Sequence, residues 1–137
     1  MALVKWVVLV ASLGLLAGCS SSAPTGGEAA ASYTLLQEVN ELLHLAAGPT
    51  GRPLGKLADL DRFQSTYPRA YEAIKSGDAV VLWGTPLKGE GEVGKDEVVV
   101  AYEKGVPANG GYVLLNAGSV KKMSASEFNS APKAVKK

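Results

Sequence analysis

The apolar residues of this chain change their period once, and that change decides the fold class. Leu35, Leu36, Val39, Leu42, Leu43 and Ala46 recur at steps of one, three and four residues. Such spacing lays one apolar face along a helix. From Ala79 onward the apolar groups come instead in short β-branched or aromatic runs bounded by Gly, Asn and Pro. These are Ala79–Trp83, Glu97–Tyr102, Gly111–Leu115 and Ser119–Met123. Runs of that length and composition read as strands. The intervals between them are too short for the helical crossovers that parallel neighbours need, so the sheet is expected to be antiparallel. Helices first and a meander afterwards define an α+β fold. The expected head has N-terminal helices packed on a small three- to four-stranded antiparallel sheet.

Local signals place the ends of these elements. Thr34 with Gln37 reads as a capping box, with Ser32 as an alternative cap, and Gly48-Pro49 closes the first helix. Leu57, Leu60 and Phe63 predict a second, short helix. Tyr67-Pro68 interrupts it, because the residue before proline avoids helical geometry. Pro68 then suits the first turn of a third helix that carries Tyr71 and Ile74 and ends at Gly77. Ser124, Ser126 and Glu127 can start a last short helix holding Phe128. The expected core is Leu36, Val39, Leu43, Leu60, Ile74, Val81, Trp83, Val99, Leu114 and Val120.

The N-terminal end is not head material. After Lys5, the run Trp6 to Gly18 is apolar or small throughout, with Ser12 its only hydroxyl. It has the length of a signal-peptide apolar segment and falls short of the ~20 residues a spanning helix needs. The run stops at Leu16-Ala17-Gly18-Cys19. Cys19 is the only cysteine of the 137 residues, so it can form no internal disulfide.

Leu-Ala-Gly-Cys resembles the lipobox of bacterial lipoproteins at all four positions. That resemblance implies a diacylglycerol on the Cys19 sulfur, cleavage between Gly18 and Cys19, and acylation (palmitate or a similar chain) of the new amino group. Two or three chains, at ~0.8 kcal/mol per buried CH₂, hold a protein stably to a membrane. Ser20 after the cysteine implies the outer membrane, with the head facing the periplasm. The organisation that follows is a signal peptide at 1–18, the lipidated Cys19 with a flexible Ser/Ala/Gly-rich linker at 19–32, a head at 33–130 and a basic tail at 131–137. A second resemblance covers about residues 34–130. The order L-x-D-L, Y-P-x-A-Y, V-V-L-W-G, V-V-V-A-Y-E-K and G-G-Y-V-L-L is similar to small lipoproteins of planctomycete-type bacteria. The turn around Gly118 also resembles the C-terminal hairpin of pseudopilin-like proteins, with Ala117 and Ser119 in place of its usual Asp and His. Neither resemblance implies an activity.

Charge narrows the function classes. Of 14 Lys+Arg and 13 Asp+Glu, removal of residues 1–18 takes away Lys5 and no acid, leaving 13 of each. A general nucleic-acid binder needs a basic face for phosphates, so none is expected. Lys121, Lys122, Lys133, Lys136 and Lys137 make the C-terminal end basic, with Glu127 the only acid there; it reads as a solvated, frayed terminus, with contact to anionic lipid as the alternative. The stretch Gly89-Glu-Gly-Glu-Val-Gly-Lys-Asp96 fits two nucleotide-loop spacings. Asp96 stands where a phosphate loop has Ser or Thr, Glu90 and Glu92 would repel phosphates, and strand formers follow where a helix should start. It reads as a hairpin loop, with no nucleotide bound.

No catalytic, cofactor or metal residues are assigned. His44 is the only histidine and reads as a surface residue near a helix end. No G-x-S-x-G turn or calcium loop occurs. Trp83, Tyr102 and Tyr112 fall on three neighbouring strands and are the candidate partner surface. On one exposed face they would make a platform for a glycan or an envelope protein; facing the helices they would be core. The expected role is a membrane-anchored, non-catalytic binding or organising module. A structural accessory of a secretion or pilus-like apparatus and a small periplasmic hydrolase are the alternatives.

Overall fold

The computed structural model of the chain describes residues 26–89 and 96–135. Gly18, Cys19, most of the glycine loop and the last two lysines lie outside the described residues. Helix α1 spans Gly26–Ala47 and buries Leu36, Val39, Leu42, Leu43, Ala46 and Ala47. A 3-10 helix at Leu57–Phe63 and helix α2 at Pro68–Ser76 follow. The strands are β1 Ala79–Val81, β2 Val99–Glu103, β3 Gly111–Leu115 and β4 Val120–Met123. They form one antiparallel meander in the order β1-β2-β3-β4. The fold is therefore α+β, and the glycine loop lies in the connection between two antiparallel strands.

Helix α1 starts earlier than the sequence suggests. Residues 26–32, expected to belong to the linker, are helical. Ala29, Ala30 and Ala31 are the best helix formers, and Glu28 in the first turn complements the helix dipole. Thr34 is thus interior rather than a cap, and its hydroxyl donates to the Ala30 carbonyl at 2.8 Å. At the other end Gly48, with φ 73°, takes the left-handed conformation that terminates a helix. Arg52 follows the turn. Its backbone N–H reaches Ala47 O at 3.3 Å, and its Nη2 reaches Ala46 O at the same distance.

A bulge in β2 organises the core. Val99 pairs with Leu115 and Ala101 with Leu114, so Val100 is an extra residue. Val100 and Ala101 both turn toward α1 and pack with Val39, Leu42, Leu43, Leu60, Tyr71 and Leu114. Val99 joins Val113, Leu115, Val106 and Phe128 on the opposite face. The sheet is apolar on both sides, so it needs a second covering layer. That layer is the one-turn helix α3, Val106–Asn109, and helix α4, Ala125–Ser130. Of the expected core, Leu36, Val39, Leu43, Leu60, Val99 and Leu114 are buried, whereas Ile74, Val81, Trp83 and Val120 are half-buried against it.

Residues 131–135 are docked, where a frayed terminus is expected. Val99 N–H donates to Pro132 O and Ala134 N–H donates to Val99 O, both at 2.9 Å, and Ala134 enters the core beside α1. The segment takes over the sheet edge where β1 has ended. Lys133 caps α4. Its Nζ donates to Phe128 O at 2.6 Å and to Ala131 O at 3.2 Å, and it lies 4.5 Å from the centre of the Phe128 ring. Removing residues 131–137 leaves the polar groups of Val99 without these partners. Hydrogen exchange is expected to show loss of protection at the Val99 amide while Val113, in the sheet centre, stays protected.

A tight approach joins the α1 turn to the segment after β1. Gly51 has φ 61°, and a Cβ there would run into the Leu87 carbonyl oxygen. Gly48 has a similar φ but nothing near its Cβ position. Gly51→Ala should cost clearly more than the ~1–2 kcal/mol expected of Gly48→Ala from φ alone. Thermal melts of the two variants check the ranking.

Candidate functional site

An open groove of about 560 Å³ lies at the end of the head where α1 begins. Glu28, Ala29 and Ser32 of α1 form one wall. Glu103 ends β2, Asn109 to Tyr112 lead from α3 into β3, and Lys122 to Ser124 lead from β4 into α4, which adds Glu127. The closeness of these segments rests on Gly110, whose φ is 73°. A Cβ there would stand 2.7 Å from Met123 O and 3.0 Å from Ser124 Cα.

Two of the groove's three carboxylates, Glu103 and Glu127, accept from backbone N–H groups. Ser124 is the N-cap of α4. Its Oγ accepts from the Glu127 N–H at 3.1 Å, and Glu127 Oε2 accepts from the Ser124 N–H at 2.7 Å, completing a capping box. The Ser124 backbone N–H, then its side chain, hold the Glu127 carboxyl below its ordinary value. A carboxylate kept charged in this way is poorly suited to donate a proton as a general acid. Glu103 Oε2 accepts from the Tyr112 N–H at 3.3 Å. Beside the groove the Tyr112 and Tyr33 rings meet in a T-shaped contact, with centroids 5.7 Å apart. Tyr33 is 39% exposed.

The three aromatic candidates do not share a face. Tyr112 lies on the α1 side against Tyr33 and lines the groove. Tyr102 lies on the α4 side, 4.7 Å from the Phe128 ring centre. Trp83 packs against the core beside Leu43, Leu54 and Val100. The three are all half-buried and do not form one platform: Trp83 and Tyr102 pack against the two apolar clusters, and Tyr112 lines the groove. That Glu28, Glu103, Lys122 and Glu127 meet at one groove is not visible in the sequence. Three of the four have no motif around them; the Ser124-x-x-Glu127 spacing was the one usable signal.

The remaining chemical candidates sit elsewhere. His44 is half-buried rather than a free surface group. Its Nδ1 lies 3.0 Å from Asn40 O and its Nε2 lies 3.3 Å from Lys88 O, so the ring ties α1 to the segment after β1. Both partners are acceptors, and a neutral ring can donate to only one. Asp96 has φ 74°, and the chain passes from it into β2 rather than into a helix. The helix terminus that either nucleotide loop requires is therefore lacking there. Glu97 next to it pairs with Lys121 at 3.2 Å. Among the described residues no group of three His, Cys, Asp or Glu could hold a metal ion, and no helix is long and apolar enough to cross a membrane. Comparison with protein-family models, curated proteins and solved structures gives no match.

The capping box sets an acid limit on α4. Because the folded Glu127 carboxyl lies below its unfolded value, its contribution is complete above the ordinary range near 4.5 and is lost as pH falls through the folded value. Glu127→Gln retains an acceptor for the Ser124 N–H but cannot titrate, so it should flatten the acid limb of a melting-temperature profile. Ser124→Ala should cost about 1 kcal/mol at neutral pH. Thermal melts across the acid range test both.

Proposed function

We propose that this chain is an exported lipoprotein, anchored through Cys19 to the outer membrane and facing the periplasm, whose head is a non-catalytic binding or organising module. The observation that carries the reading is Leu16-Ala17-Gly18-Cys19 directly after an apolar run of signal-peptide length. The start of α1 adds a dimension to it. Only Ser20 to Thr25 separate Cys19 from Gly26. Fully extended, that six-residue stretch reaches about 21 Å at ~3.5 Å per residue. A head held so closely presents its groove beside the bilayer, because Glu28, Ala29 and Ser32 belong to the first turns of α1.

A module of this kind acts by holding a partner at the membrane surface, and the open groove at the α1 end is the surface on offer. The anchor is tested by Cys19→Ser in a bacterial host that processes lipoproteins. The native chain should lose residues 1–18, gain the mass of its acyl chains and fractionate with membranes. The variant should remain an unlipidated precursor. Unchanged processing and fractionation in Cys19→Ser would remove the reading.

A further inference from the structure

We propose that the groove at the α1 end binds a basic peptide segment of a partner protein, seating an arginine or lysine side chain against Tyr112. This rests on the head being a binding module but not on the lipid anchor. Its walls include Ala29, Gly111, Tyr112 and Met123, apolar surface that suits the methylene stem of a long cationic side chain. Its rim carries three carboxylates, Glu28, Glu103 and Glu127, against one amine, Lys122. In a chain of net charge +1 that is a local excess of two negative charges, and a concave site focuses such a field.

The rim carboxylates come from three different elements and form no metal-binding group. They surround a space rather than converge on a point, which suits a broad organic cation better than a bare ion. Glu103 and Glu127 each turn Oε2 to a backbone N–H, which fixes the direction of the carboxylate. The second oxygen of each is the acceptor a guanidinium or ammonium group would use. Tyr112, which lines the groove and is held in a T-shaped contact with Tyr33, adds aromatic surface for the same cation. The groove is open along its length, so the backbone of a peptide can continue past the seated side chain.

The test uses the full mature protein in detergent micelles and two probes, acetyl-Gly-Arg-Gly-Arg-Gly-amide and the same peptide with citrulline for arginine. Citrulline keeps the shape and removes the charge. The arginine peptide should bind, weaken with added salt, and exceed the citrulline peptide by about tenfold, the scale of one charge-assisted contact. Glu28→Gln and Glu103→Gln together should bring the two peptides to equal affinity. Glu28 is exposed, so Glu28→Gln alone serves as the variant that leaves the fold intact, and it should weaken the arginine peptide by about threefold. No binding of the arginine peptide, equal binding of both peptides to the native protein, or full affinity in the double variant overturns the proposal. A failed peptide test beside a head that still crosslinks to an envelope protein would overturn the groove and leave the binding module standing. A head that crosslinks to nothing would overturn the module itself.

Discussion

The extra residue that β2 carries at Val100 sets how the rest of the chain can pack. Strict alternation would send Val100 and Ala101 to opposite faces of the sheet. The bulge turns both toward α1, and it leaves Val99 on the other side with Val113 and Leu115. The sheet therefore cannot rest one face in water, as antiparallel sheets commonly do. Phe128 of α4 and Val106 of α3 cover the second face. The same displacement directs Val99 N–H and C=O away from β3, where the segment at Pro132 to Ala134 meets them. The inserted residue thus adds Val99 to a face that Val113 and Leu115 already make apolar, and it helps set the edge that Pro132 to Ala134 close.

The groove follows from how far α1 extends. Its first two turns, from Gly26 to Ser32, overhang the end of the sheet where β3 starts and β4 finishes. Without them Tyr112 and Glu103 would face open solvent with no opposing wall. Arg69 of α2 supports this overhang by donating from Nη2 to Ala31 O at 2.9 Å, while its Nη1 lies 3.4 Å from Glu38. The exposed ion pair adds little by itself. The bond to the helix carbonyl is the part that positions α1.

The elements with a strong local signal were legible in the sequence. The apolar stripe from Leu36 to Ala46 marked α1, Pro68 and Gly77 marked the ends of α2, and Gly111–Leu115 matched β3 in full. Three features were not. Residues 26–32 were read as linker because Ala and Gly carry no apolar stripe, although Ala favours helix. The bulge left Glu97–Tyr102 looking like an unbroken apolar run. The groove depends on four segments distant in sequence, and no spacing along one of them announces the others. His44 and Lys133 illustrate the same limit: each looked solvated, and each is held by backbone carbonyls that only the fold brings near.

Ala134 and Val39 belong to one apolar cluster, although 95 positions separate them. The meander, by contrast, pairs neighbours along the chain. Closing a loop of that length costs entropy before any contact repays it, whereas the β3–β4 hairpin closes over a few residues. By this measure the hairpins are the cheapest contacts to close, the contact of Pro132 to Ala134 with Val99 is intermediate, and docking α1 on the sheet spans the longest separation. Without that segment Val99 presents a free N–H and C=O beside apolar neighbours, the combination that invites pairing with another chain. The docked C-terminal segment therefore also acts as a guard against aggregation, because it covers the stretch of β2 edge that β1 leaves open.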